Sequence, residues 1–270
     1  ATGLELTQID AATNQIVDGL LVTTISGTAT QVAAAAELDR LDTTRLKANF
    51  GATITGTATT TELSQIYNRT SATINATGVT AINGSAADVH TAIDHAQVNH
   101  DTNFTVTISG TSAAAADLKA IDAITSGIIT ATGVETITGS LTDVGDVVDV
   151  DTSKGNAGQQ IDIDTDFNVT LSDTGNMSAS ALNTLNGKVP GTVTVTAAVT
   201  LTGSASDIAT AASADNAGTL ALATNFGATV SAGGVDAADL ITIYGQTSAT
   251  INATAATGIN GSAADVHTVI

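Results

Sequence analysis

The sequence predicts an α/β repeat protein, a solenoid of about nine helix–strand coils with parallel strands on one side and helices on the other. Three observations predict it. The stretch ATINATGVTAINGSAADVHTA at 72–92 returns as ATINATAATGINGSAADVHTV at 249–269. Glycines in the pattern apolar-x-Gly-Ser/Thr recur with a period near 28. The four phenylalanines recur with a period near 58, so the true repeat is a pair of unlike units.

The register is anchored on Gly27, Gly56, Gly84, Gly110, Gly139, Gly175, Gly203, Gly233 and Gly261, each taken to end a strand. Successive separations are 29, 28, 26, 29, 36, 28, 30 and 28 residues. The long interval after Gly139 marks an insertion, placed at 140–166. The rest of residues 1–270 reads as one continuous array, cut inside a repeat at both ends.

A Ser often follows the glycine, with Asp three residues on: Ser85 and Asp88, Ser140 and Asp143, Ser204 and Asp207, Ser262 and Asp265. This is a capping box with Asp in the usual place of Glu or Gln. The hydroxyl satisfies an orphan helix N–H, and the carboxylate sits at the positive end of the helix dipole. Helical spacing follows in Leu63 and Ile66, Leu118 and Ile121, Leu182 and Leu185, Leu240 and Ile243, and in the stripe Val89, Ala92, Ile93, Ala96. The Ala33–Ala36 run allows close helix approach.

The period then switches to two, as in Thr105-Val-Thr-Ile108 and Thr192-Val-Thr-Val-Thr196. β-Branched residues in this alternation read as strands with one buried and one Thr-lined face. Phe50, Phe104, Phe167 and Phe226 each open one short strand and are expected in the core. The units between carry a longer, bent arm, such as Thr73–Ile82 or Ile128–Ile137. Strands repeat at ~4.8 Å and helices pack at ~8–10 Å, so a stack with one of each per coil must curve. Arms folded into hairpins would relieve this, and a repeated ββα hairpin array is the alternative.

Composition narrows the function. Seven basic residues stand against 26 acidic ones, a formal charge of -19 that repels nucleic-acid phosphates. There is no Cys, hence no disulfide and no thiolate site. Aromatics are 2% of the chain, which leaves Ala, Val, Ile and Leu to build a thin, repetitive core. No apolar run approaches the ~18 residues of a membrane span.

The densest acidic stretch lies in the insertion. Asp143, Asp146, Asp149 and Asp151 lead towards Ser153-Lys-Gly-Asn156, and Asp162, Asp164 and Asp166 follow in alternation. Alternation predicts these last three carboxylates on one strand face, where a hard cation such as Ca²⁺ would relieve their repulsion. The run from Asp149 departs from a Ca²⁺ loop, since Gly155 falls at the seventh place and Gln160 replaces the closing Glu. A solvated acidic loop is the plainer reading. His90, His95 and His100 are five apart, about 140° per step around a helix, and do not converge. No nucleophile elbow, HExxH, phosphate loop or dinucleotide fingerprint is present. The reading is therefore non-enzymatic. Thr-lined faces order water over a surface only if Thr-x-Thr keeps register, and Asn75 and Ser231 interrupt it.

The phrases ITGS at 137–140, SAADV at 85–89, DLKAIDA at 117–123 and ATGVETITG at 131–139 resemble the tandem repeats of very large bacterial surface proteins. In rhythm the chain resembles the giant repeat proteins of marine cyanobacteria, including one associated with non-flagellar swimming. The resemblance implies an extended surface stalk or adhesin-like filament, often accompanied by Ca²⁺-binding modules. The Gly-Gly-x-Gly-x-Asp nonapeptides of such modules are missing here, and no site residue carries over. The expectation is an extracellular structural segment that associates with itself end to end or laterally. An adhesin-type module for a glycan, a cation or a host surface is the alternative.

Overall fold

The structure is a computed structural model that describes residues 1–151 and 160–270. It is α/β, with ten helices among the described residues and strands paired in parallel. The chain falls into two compact units. The first comprises Ala1–Ala113, Asp117–Val134 and Val150–Ile163, and the second Ala114–Ala116, Glu135–Asp149 and Asp164–Ile270.

Helices beginning at Gly3, Thr60, Ala115, Ala179 and Ala237 are separated by 57, 55, 64 and 58 residues. Those beginning at Ala29, Ala86, Leu141, Ala205 and Ala263 follow the same four intervals. The pair is thus the repeating element, and one pair is longer than the rest. The surplus is narrower than 140–166. Helix Leu141–Asp149 is an ordinary member of the second series. Strand Ile161–Ile163 begins six residues before Phe167, just as Thr44–Leu46, Val98–His100 and Leu220–Ala221 precede Phe50, Phe104 and Phe226. What is added falls between Val150 and Gln160, and residues 152–159 lie outside the described ones.

The caps follow the sequence with one difference. Ser85, Ser140, Ser204 and Ser262 accept the N–H of Asp88, Asp143, Asp207 and Asp265 at 3.0–3.2 Å. In helices Ala86–Ile93, Ala205–Ala217 and Ala263–Val269 the aspartates do not reach back to the cap backbone. All four aspartates accept from the Ser hydroxyl at 2.6–2.8 Å. The longer Glu5, Gln31 and Glu62 do reach back, to the N–H groups of Thr2, Thr28 and Thr59. One methylene decides between the two arrangements. Ala96, assigned to a helical stripe, lies beyond the end of helix Ala86–Ile93 and is exposed.

In the first unit a parallel sheet runs Ile161–Ile163, Ile129–Ala131, Thr105–Ile108, Ile74–Gly84, Gly51–Thr59, Thr24–Thr28, with Val98–His100 also on Ile74–Gly84. Val17–Gly19 pairs separately with Thr44–Leu46. In the second unit Thr136–Gly139, Asn168–Leu171, Val193–Val195 and Leu220–Ala221 form one parallel row. Gly175–Ser178, Val199–Gly203, Gly227–Val230 and Ile251–Asn252 form another, and Gly233–Asp236 pairs with Ala256–Asn260. Parallel pairing throughout these strands corrects the hairpin alternative. Ile74–Gly84 is one eleven-residue strand, and the two halves of the 128–137 arm join different sheets. The Phe-type units also carry more than one strand. After the glycine comes a second segment, as in Ser112–Ala114, Gly175–Ser178 and Gly233–Asp236.

All four phenylalanines are buried, at 0–2% exposure, as are most of the Ile, Val and Leu residues of the helices and strands. The Phe50, Phe104 and Phe226 carbonyls accept the hydroxyls of the buried Thr70, Thr125 and Thr247. Each hydroxyl in turn accepts the N–H two residues on, at 3.1 Å. The Phe strand is thereby tied to the loop about twenty residues later. In the Phe167 pair Val189 and Pro190 stand where the others have Thr and Ser, and the Phe167 carbonyl accepts from Gly191 N–H at 3.1 Å.

The two long helices, Ala29–Arg40 and Ala205–Ala217, end alike. Leu46 donates to Asp39 Oδ1 at 2.8 Å, and Leu222 to Asp215 Oδ1 at 2.7 Å. The left-handed residue of this turn is Asp42 (φ 58°) in one copy and Gly218 (φ 81°) in the other.

Candidate functional site

The five aspartates singled out from the sequence do not share a strand face. Asp149 ends helix Leu141–Asp149, is exposed, and pairs with Lys188 at 2.5 Å. Asp151 is buried, at 1% exposure, and accepts the Ile163 N–H at 3.3 Å. Asp162 lies on strand Ile161–Ile163 opposite Thr130. Asp164 and Asp166 lie past the end of that strand, in the turn that leads to Phe167, where Asp164 accepts the Thr165 N–H at 2.7 Å. The alternation stops because the strand ends at Ile163, and Asp164 and Asp166 fall in the turn between it and Asn168–Leu171. Asp151 and Asp162 belong to the first unit, and Asp149, Asp164 and Asp166 to the second. Among the described residues no three His, Asp or Glu side chains gather as a cation site. Ser153–Asn156 of the proposed loop lie outside the described residues.

The histidines have separate surroundings. His90 Nδ1 meets Asp117 Oδ1 at 2.8 Å. His95 stacks on Tyr67 with ring centroids 4.1 Å apart. His100 faces the Ile93 carbonyl at 3.0 Å and packs edge-on against Phe104.

A cleft of about 560 Å³ in the second unit lies between helix Leu141–Asp149 and helix Ala179–Asn186. Gly145 opens it by lacking a side chain. Asp146, Asp149, Asp173, Asn176 and Lys188 supply its polar walls, with the buried Met177 among its apolar ones. Asp173 caps the neighbouring helix, accepting the Leu141 N–H at 2.7 Å. The arrangement offers both donors and acceptors, as a polyhydroxylated ligand requires. Of these residues, the sequence places Asp146 and Asp149 in its acidic stretch, and only Asp149 among the cation candidates. Asp173 meets its partner across 32 residues, which no local pattern announces. Lys188 is one of seven basic residues in the chain, and that scarcity is the signal by which it could be found.

Threonine ladders form in part. Thr138, Thr170 and Thr194 are in register on three strands, and Ala221 ends the row. Thr202 and Thr229 align on a second row that Asn252 ends.

No helix among the described residues is long and apolar enough to cross a membrane. No protein-family model, no curated protein and no solved structure matches the chain.

Proposed function

We propose that the chain is a structural and interaction segment of a long extracellular repeat protein, an α/β solenoid that forms a surface filament, stalk or layer and does no catalysis. One observation carries this reading. Both helix series keep the same intervals of 57, 55, 64 and 58 residues. Geometry repeated in this way makes length and surface, whereas a reaction centre needs unlike groups brought together once. Apolar faces buried only against neighbouring units let stability accumulate along the array. Electron cryomicroscopy of the purified protein tests the proposal. Filaments with an axial rise of one or two units are the expected result. Compact particles of single chains at all concentrations would overturn it.

The polar cleft favours a second reading, an adhesin-type module for glycans. On a glycan array this reading expects binding that Asn176→Ala and Asp146→Ala abolish while the circular dichroism spectrum stays unchanged.

A further inference from the structure

The chain contains five arms, and the structure gives the same seat four times over. The first half of an arm pairs with the short strand that precedes a phenylalanine: Val17–Gly19 with Thr44–Leu46, Ile74–Ala76 with Val98–His100, Ile129–Ala131 with Ile161–Ile163, and Val193–Val195 with Leu220–Ala221. The second half pairs with the strand that follows the phenylalanine. Thr24–Thr28 meets Gly51–Thr55, Ala81–Gly84 meets Thr105–Ile108, Thr136–Gly139 meets Asn168–Leu171, and Thr200–Gly203 meets Gly227–Val230. The fifth arm, Ile251–Asn260, makes neither pairing among the described residues. Its first half is the last strand of its row, and its second half touches only Gly233–Asp236.

The fifth arm and its helix are nearly the same sequence as the second, so the two environments compare residue by residue. Ile82, Ala86 and Val89 are 0–2% exposed. Their counterparts Ile259 and Ala263 are exposed, Ile259 at 38%, and Val266 is half-buried. Polar partners differ in the same way. The Tyr67 ring is covered by His95, and the Gln97 amide donates to the Thr70 and Ala72 carbonyls at 2.9 and 3.3 Å. Tyr244, the counterpart of Tyr67, is 76% exposed. His90 pairs with Asp117, whereas its counterpart His267 is exposed.

From this we infer that the surface formed by Tyr244, Ile251–Asn260 and helix Ala263–Val269 is a docking face for one further Phe-type unit. That unit is a short strand, an Asn-Phe turn, a Thr-Val-Thr-Ile strand and an Ala-rich helix with an acidic first turn. The apolar residues are the same in kind as those buried at the four interior seats, and removing them from water is the main driving force for such an interface. Two open strand edges supply parallel backbone hydrogen bonds, and alternate side chains set the register. A second copy of this chain is the poorer occupant. Its strands that follow each phenylalanine, which the second half of the arm would need, are already paired on both sides. The inference rests on the repeat reading of the proposed function and concerns only what this one face accepts.

The test appends residues 94–125 of the chain directly after Ile270 and follows amide hydrogen exchange at 251–260 together with acrylamide quenching of Tyr244. The expected result is exchange slowed at least ~10-fold at those amides, with Tyr244 quenching lowered. The same extension carrying Phe104→Asp and Val106→Asp in the appended copy leaves both unchanged. Amides of helix Ala205–Ala217 report whether the parent fold persists in each protein. An intact parent fold with no added protection from the native extension would overturn the inference. So would the unextended chain protecting 251–260 by itself as its concentration rises, because the occupant would then be a second copy. Filaments seen without any effect of the extension would leave the proposed function standing and sink only the docking face.

Discussion

At the scale of single residues the molecule contains its own control experiments. Asp42 and Gly218 occupy the same left-handed position after the same helix ending. An L-residue there carries a penalty that glycine avoids, partly offset by the looser unfolded chain of glycine. Asp42→Gly is expected to raise stability by about 0.5 kcal/mol, and Gly218→Asp to lower it by about the same or more. Urea midpoints of the two variants decide the matter. Asp122 gives a second case. Burial holds its carboxyl above the ordinary value, and one of its oxygens is buried without a hydrogen bond. The folded state therefore binds this proton more tightly than the unfolded one. Stability is lost as pH rises from the usual carboxylate range through the raised value. Asp122→Asn removes that loss, and Asn186 already stands at the matching helix end. Thermal melts should show the variant gaining over the parent as pH rises through this window, with no gain below it.

At the scale of elements, the caps and helical stripes are legible in the sequence because each is local, a Ser and an Asp three residues apart ahead of a 3.6-residue rhythm. The buried phenylalanines and the parallel strands are legible from periodicity. The second strand of each Phe-type unit is not, since three or four small residues after a glycine carry too little alternation. Nor is the bond from Thr70 to the Phe50 carbonyl, because its partners lie 20 residues apart and meet only once the chain is folded. The acidic stretch is legible as charge, but its geometry is not. Asp164 and Asp166 continue the alternation of Ile161–Ile163 in sequence and leave it in space. The capping geometry yields a prediction of its own. Ser204→Ala removes the acceptor for the Asp207 N–H and should cost about 1 kcal/mol. Asp207→Ala removes only a partner of the Ser hydroxyl and a favourable helix-end charge, and should cost about 0.5 kcal/mol. Chemical denaturation of the two variants ranks them; a larger loss for Asp207→Ala would show that the carboxylate is the main cap.

At the scale of the whole molecule, the pair of units sets what can be removed. Residues 86–140 span one helix of the second series to the cap of the next, so deleting them joins Ser85 to Leu141 and keeps the order of unlike units. That shortened chain is expected to retain its secondary structure and unfold cooperatively. Deleting residues 60–85 joins Thr59 to Ala86 and places a Phe-type strand ahead of the wrong helix. It should lose cooperative unfolding, as circular dichroism and urea titration will read. Equal behaviour of the two deletions would argue against the pair as the folding element.

The equality of the two helix intervals has a bearing on inheritance. Residues 72–92 and 249–269 are close enough in sequence for their coding segments to recombine unequally, and such an exchange adds or removes the stretch between them as a block. Both ends of that block fall at the same point of the pair, so every product keeps its two helix series in alternation. Relatives of this chain are therefore expected to differ in length by whole pairs and seldom by single units, with the array growing or shrinking between generations without passing through an unfoldable form.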